Sequence, residues 1–230
     1  MLYTLLALAI APGIAIILFI YLKDKYEKEP FSMVIKCFLF GLFTIFLPLL
    51  IETIASYLYP DFHFKPFAIF IYAFFIVGLS EEFSKYLLLR FYAYKSPHFN
   101  EPFDGIVYSV VISMAFATAE NIFYVLENGI GVALIRMFTA IPAHASCAVL
   151  MGYYVGIAKF SKNKFGYLIL GLSSAVISHG FYDWFLFQYY MPGLQLLAFV
   201  VLIIIVILSF KAIKRHKNNS PFNVSNPPLS

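Results

Sequence analysis

Nine ionisable residues fall inside stretches that are otherwise apolar: Glu52, Glu81, Glu82, Lys85, Glu120, Arg136, His144, His179 and Asp183, with Lys36 near the end of another such stretch. An ionisable group at the centre of a bilayer costs roughly 2.5–3.5 kcal/mol on insertion scales, so it persists where it faces a partner, a water-filled cavity or a reaction. In Ser80-Glu81-Glu82-Phe83-Ser84-Lys85, Glu81 and Lys85 are four apart, on one helix face where they can pair. Glu82 points about 100° away on a helix of about 3.6 residues per turn. Two adjacent acids in apolar surroundings repel and leave a proton to manage, which is the condition general acid–base catalysis uses. A salt-bridged structural pair is the plainer alternative.

Three further stretches carry polar groups. Phe116-Ala117-Thr118-Ala119-Glu120-Asn121 sets small residues before the acid, which lets another helix approach closely. Pro142-Ala143-His144-Ala145-Ser146 leaves a histidine uncrowded between alanines; alone, it reads equally well as an interhelical hydrogen-bonding group. Ser178-His179-Gly180-Phe181-Tyr182-Asp183 stacks His179 and Asp183 one helical turn apart. Either both bind a metal, or Asp183 accepts the second ring N–H of His179 and orients it; a buried His–Asp pair is the plain alternative. Two histidines with one or two carboxylates make a zinc-type set with room for water. Glu120, His144 and His179 are candidates to bind metal or to stabilise an oxyanion, with Asp183 as a further ligand or ring-orienting partner, and Glu81 or Glu82 is the natural base for that water.

These residues need elements to carry them. The chain of 230 residues is 62% hydrophobic and 12% charged, against about 25% charged in a soluble domain. Too few polar residues remain to cover a soluble surface, and disorder needs the opposite composition. The expected fold is all-α: a polytopic transmembrane helix bundle of about seven spans, at 2–22, 33–58, 67–92, 105–126, 131–158, 164–190 and 193–212. Residues 1–212 form one transmembrane domain, and 213–230 a basic, polar tail. Glu127-Asn128-Gly129-Ile130 and Met191-Pro192-Gly193 read as tight hairpins. The first apolar run, lacking a basic start and a clear cleavage site, reads as a retained span. On these spans Glu81, Glu120, His144 and His179 each lie about 20–23 Å along their helix, so four helices can bring them to one depth.

Basic residues alternate in their placement. Lys23, Lys25 and Lys28, then Arg90 and Lys95, then Lys159, Lys162 and Lys164, then the tail from Lys211 to Lys217 fall on one side; the other holds Lys65, with Arg136 a turn inside its span. This asymmetry predicts a multi-pass cell-membrane protein, N-terminus outside and C-terminus cytoplasmic. The net charge of +4 is spread through these loops, so nucleic acid is not an expected partner. Glu52 and Arg136, near outer ends, either snorkel or pair. His63, His98 and His216 read as solvated, and Cys37 and Cys147 as small buried hydrophobes.

Taken in order, the motifs resemble those of the PrsW family of intramembrane proteases, related to the CAAX prenyl protease and bacteriocin-processing group. The matching residues are Glu81-Glu82-Phe-Ser-Lys85, Phe116-x-x-x-Glu120-Asn121, Ala143-His144-Ala145 and His179-Gly-Phe-Tyr-Asp183, with Glu101-Pro-Phe-Asp104-Gly105-Ile-Val-Tyr108 as the connector. The resemblance covers roughly 67–190 and implies hydrolysis of a peptide bond in a membrane-anchored protein, with first-site cleavage of an anti-sigma factor as the best-known role. It implies Glu81, Glu82 and His179 as essential groups, supported by Lys85, Asn121 and Asp183, and a divalent metal, zinc foremost. Related proteins have been argued to activate water with glutamate and histidine alone, so a metal-free route stays open. A proton-coupled transporter or channel built on the same Glu/His chain is the rival class, opposed by the lack of two similar halves. A non-catalytic protein that binds another membrane helix is the third.

Overall fold

A computed structural model describes residues 2–60, 65–189 and 191–223. His63 lies outside the described residues. Nine α-helices follow in order: α1 (Leu2–Lys23), α2 (Phe31–Phe43), α3 (Phe46–Leu58), α4 (Pro66–Ile71), α5 (Leu79–Phe91), α6 (Pro102–Phe138), α7 (Ala140–Phe160), α8 (Lys164–Leu186) and α9 (Pro192–Asn218), with no strand among the described residues. A helix satisfies its own backbone, which an apolar environment demands. Pro66, Pro102 and Pro192 begin their helices, where a missing N–H costs nothing. Lys23, Arg90 and Lys159 close theirs, where the helix dipole favours a cation. The start of α6 is fixed by a reciprocal cap between Glu101 and Asp104.

Among the described residues, six runs are long and apolar enough to cross a membrane, and the fourth, Pro102–Phe160, is 59 residues long. It folds back on itself. Ser113 donates to the carbonyl of His144 at 3.1 Å, and Arg136 reaches Asn121 at 2.5 Å, so the two limbs run antiparallel. The seven expected spans therefore appear as seven limbs. The reversal sits at Gly129, with φ 78° and ψ −163°, a conformation essentially reserved for glycine.

Other boundaries differ from the sequence expectation. The span at 33–58 is two helices, broken at Thr44 and Ile45. Pro48 explains the break: it has no N–H for the Thr44 carbonyl and its ring crowds that group. The span at 131–158 is interrupted at Thr139. The last helix continues to Asn218, six residues beyond the expected 212, because Ala212, Ile213 and His216 are buried. His216 stacks on Tyr153 at 4.2 Å between ring centres, and its Nε2 lies 2.9 Å from the Tyr153 carbonyl oxygen. It is not solvated; His98 is exposed. Cys37 and Cys147 are buried and free.

The first limb of α6 is the centre of the bundle, with every residue from Phe103 to Thr118 buried. α1, α2, α5 and α7 pack around it. The outside is apolar, with Leu22, Phe43, Phe138, Phe165 and Leu196 all more than half exposed, as a lipid-facing surface requires. Between α4 and α5 the chain makes a wide π-turn over Tyr72–Gly78. This turn crosses α8 at Gly180, where a Cβ would lie 2.5 Å from the Phe74 ring, and a Cβ on Gly78 would lie 3.3 Å from the Gly180 backbone nitrogen. The crossing sets Glu82 and His179 side by side.

Two outcomes follow from these positions. Gly129→Ala should lower unfolding stability in detergent by about 1–3 kcal/mol through backbone strain, whereas Gly131→Ala, whose Cβ meets nothing within 4 Å, should be neutral or mildly stabilising. Gly180→Ala should cost about 1–3 kcal/mol through overpacking. Phe74→Ala combined with it should be non-additive, since the truncation removes the clash. Strict additivity in a double-mutant cycle would disprove the contact.

Candidate active site

The crossing of α5, α6, α7 and α8 collects the polar residues of four limbs. Glu81, Glu82 and Lys85 stand on α5, Glu120 and Asn121 on α6, His144 on α7, and His179 and Asp183 on α8. Lys85 holds the centre. Its ammonium lies 3.1 Å from Glu81 Oε2, 2.8 Å from Glu82 Oε1 and 3.3 Å from His144 Nδ1, and it sits over the Phe116 ring at 4.0 Å. The spacing-based expectation of a Glu81–Lys85 contact is met, and Glu82 joins it from the next residue.

Each histidine shows the same arrangement. His179 Nδ1 lies 2.9 Å from Glu82 Oε1, and its Nε2 lies 3.1 Å from Asp183 Oδ2. His144 Nδ1 faces Lys85 and, at 3.9 Å, Glu81, while its Nε2 lies 2.9 Å from Glu120 Oε2. The rings meet edge to face, 5.2 Å between centres. Both Nδ1 atoms thus point inward, and a carboxylate stands behind each Nε2. Lys85 at His144 Nδ1 makes that nitrogen the acceptor, so its Nε2–H donates to Glu120.

Arg136 completes the outer shell. Its guanidinium reaches Glu120 Oε2 at 2.7 Å, and its Nε donates to Asn121 Oδ1 at 2.5 Å. Asn121 in turn donates to the Ala9 carbonyl at 3.4 Å, tying the site to α1. The sequence left Arg136 between snorkelling and pairing; the reversal at Gly129 is what returns it to Glu120. No local pattern announces that contact, because it spans sixteen residues and a turn.

A cavity of about 450 Å³ opens beside this cluster, lined among others by Glu52, Tyr72, Glu81, Glu120, His144, His179 and Asp183. A second, of about 270 Å³, also reaches Glu52, Glu81 and Glu120. Glu82 lines neither and is fully buried. Glu52, left open by the sequence, stands on both walls. Its signal was the same as the others, an acid in an apolar run.

The donor set suits a zinc-type ion. One donor atom from each of Glu81, Glu82, His144 and His179 lies within 4.8 Å of the others. Carboxylates behind the rings are the usual support of metal-bound histidines, and Glu82 Oε2 is buried with no hydrogen-bond partner. Glu120 and Asp183 stand behind the histidines, not among these four. Lys85 contacts three of the four donors, so ammonium and metal draw on the same groups.

Comparison with known proteins gives the family. The model of the PrsW family intramembrane metalloprotease matches residues 29–209. Protease PrsW of Geobacillus kaustophilus is 40% identical over 202 residues, covering 85% of this chain and 87% of that protein. Protease PrsW of Bacillus subtilis is 37% identical, covering 80% and 83%, and that of Clostridioides difficile is 35% identical, covering 94% and 92%. No solved structure matches the chain. A match over most of the chain, on the same four limbs that build the polar cluster, has one consequence: the protein belongs to the PrsW family of intramembrane metalloproteases.

Proposed function

We propose that this chain hydrolyses a peptide bond in a membrane-anchored protein, with Glu81 as the base that activates water. The observation that carries the reading is that Glu81, alone of the adjacent pair, lines the cavity beside the Glu/His cluster. Glu81 takes the proton of the attacking water as oxygen adds to the scissile carbonyl. It then returns that proton to the departing amine, so one carboxylate serves both halves of the reaction. Glu82 stays buried and orients Lys85 and His179. Lys85 balances the two carboxylates, whose charges would otherwise repel. Asp183 and Glu120 fix the ring orientation of His179 and His144, and Asn121 and Arg136 hold Glu120.

His144, His179 and Glu82 are the residues that would hold a zinc-type ion. When bound, such an ion supplies a Lewis acid that polarises the scissile carbonyl and eases deprotonation of water. The position of Lys85 favours a second reading, in which the ammonium does the balancing and glutamate and histidine act without metal.

The basic loops support an orientation. Lys159 donates to the Tyr94 carbonyl at 2.5 Å, and Tyr108, near the start of α6, donates to Glu29 of the α1–α2 connection, so these connections gather at one end of the bundle. By the positive-inside rule that end is cytoplasmic, which leaves the N-terminus outside. The cavity extends the other way, to Phe187, Tyr189 and Gln195. Glu120 is about 27 Å along α6 from Pro102 and about 13 Å short of the reversal, at about 1.5 Å per residue. The cut therefore falls in the outer half of the substrate's span. A single-pass protein of the anti-sigma-factor kind fits this geometry, on the strength of the family resemblance.

The assay is cleavage of a single-pass substrate in liposomes. Glu81→Gln should lower the rate about 10²–10⁴-fold, and Asp183→Asn about 10–100-fold if it orients a metal-bound ring. Formate should partly restore Glu81→Ala, because position 81 opens on the cavity, and should not restore Glu82→Ala. Rescue of the second and not the first would reverse their roles. Chelator should abolish cleavage and added zinc restore it; unchanged cleavage in chelator assigns the reaction to glutamate and histidine alone.

A further inference from the structure

The end of the bundle that carries the basic loops holds a second group of acids. The α1–α2 connection contributes Asp24, Glu27 and Glu29, and the start of α6 contributes Glu101 and Asp104. Asp24, Glu29, Glu101 and Asp104 are 2% exposed or less. Glu27, at the rim, is half-buried. Glu27, Glu29 and Asp104 each offer a carboxylate oxygen within 4.8 Å of the other two.

The partners of these acids do not neutralise them. Asp104 Oδ2 accepts from the backbone N–H groups of Asn100 and Glu101, both at 2.7 Å. The Tyr108 hydroxyl donates to Glu29 Oε2. Asp104 Oδ1, Glu29 Oε1, Glu27 Oε2, Asp24 Oδ2 and Glu101 Oε2 are buried and meet no donor, while the Glu29 and Asp104 side chains lie within hydrogen-bonding reach of each other and Glu101 of Ser220. Lys28, between Glu27 and Glu29 in sequence, spends its ammonium on the backbone carbonyls of Tyr21 and Asp24 at 2.7 and 2.9 Å, and Lys23 and Lys25, which flank Asp24, lie over the rings of Phe19 and Tyr26. Among the described residues, the ion pairs within 4.0 Å all belong to the candidate active site, and none reaches these five acids. Burial, with Glu101 and Asp104 nearby, pushes Asp24 up to about 7, and burial pushes Glu29 up to about 7. Buried acids with orphaned oxygens and no cation are a costly arrangement.

We propose that this cluster binds a hard divalent cation, calcium or magnesium, held by Glu27, Glu29 and Asp104, with Asp24 and Glu101 adding negative charge around it. The donors are all oxygen, without histidine or cysteine, which selects hard cations over zinc. The bound ion clamps the α1–α2 connection onto the N-terminal end of α6. Asp104 and Glu120 are sixteen residues apart on α6, about 24 Å at about 1.5 Å per residue, so this site is separate from the catalytic cluster. The proposal is independent of the protease reading.

Terbium reports such a site, because a nearby tyrosine sensitises its emission and Tyr108 touches Glu29. The full chain in detergent, stripped with chelator, is titrated with terbium alone, then with calcium or magnesium as competitor in separate arms. The expected result is saturable emission displaced by one of the two ions, with terbium binding weakened at least tenfold in Glu27→Gln and lost in Asp104→Asn. Glu82→Gln, in the other cluster, should keep the signal. The same displacing ion should raise the unfolding midpoint of the parent chain and not of Glu27→Gln. Glu27 lies at the rim, so Glu27→Gln decides the matter if Asp104→Asn fails to fold. Absent saturation, equal binding by the parent and Glu27→Gln, or a signal lost only in Glu82→Gln would each overturn the proposal. A midpoint indifferent to both ions would do the same and would leave the acids sharing protons.

Discussion

One buried ammonium organises the candidate active site. Lys85 is 2% exposed and touches Glu81, Glu82 and His144 together. Removing a charge from water costs several kcal/mol, and it is tolerated only when the geometry of its partners is good. Two neighbouring carboxylates on one helix would repel each other without this cation. With it, they converge on a histidine from another limb. The remaining contacts extend the same logic: Glu82 to His179, His179 to Asp183, His144 to Glu120, Glu120 to Arg136, Arg136 to Asn121, and Asn121 to the backbone of α1. Every ionic side chain in the chain of contacts has an opposite partner, which is why an apolar bundle accommodates it.

The backbone makes room for that network in two ways. The π-turn before Glu81 and the crossing at Gly180 bring α5 and α8 close enough for a 2.9 Å contact between Glu82 and His179. A π-turn shifts the register of everything after it and is common beside functional groups. The reversal at Gly129 returns Arg136 to the helix turn that carries Glu120. Neither device chemically reacts, yet each fixes which polar groups meet. Because the cluster lies along several limbs rather than on a loop, its geometry is held by packing over the whole bundle.

The two acidic groups of the molecule follow opposite rules. At the active-site cluster the acids are matched by Lys85 and Arg136 and by two histidines. At the basic end, five acids crowd together while the nearby lysine bonds to carbonyls. Net charge hides this difference, since the same end is rich in lysine. Which cation meets which acid is a matter of position, not of composition.

Much of the architecture was legible in the chain alone. Lipid allows few polar residues, so Glu81, Glu82, Lys85, Glu120, His144, His179 and Asp183 stood out against an apolar background, and helical spacing alone paired Glu81 with Lys85 and His179 with Asp183. The seven limbs were legible for the same reason, because hydrophobic length measures a span directly. Contacts between distant segments were not. That Arg136 belongs to Glu120, that Glu82 is enclosed while Glu81 faces the cavity, and that His216 is buried against Tyr153 depend on helix rotation and crossing. A sequence records period along one helix; which faces of two helices meet is decided by the side chains of both, and only the packed bundle brings those together.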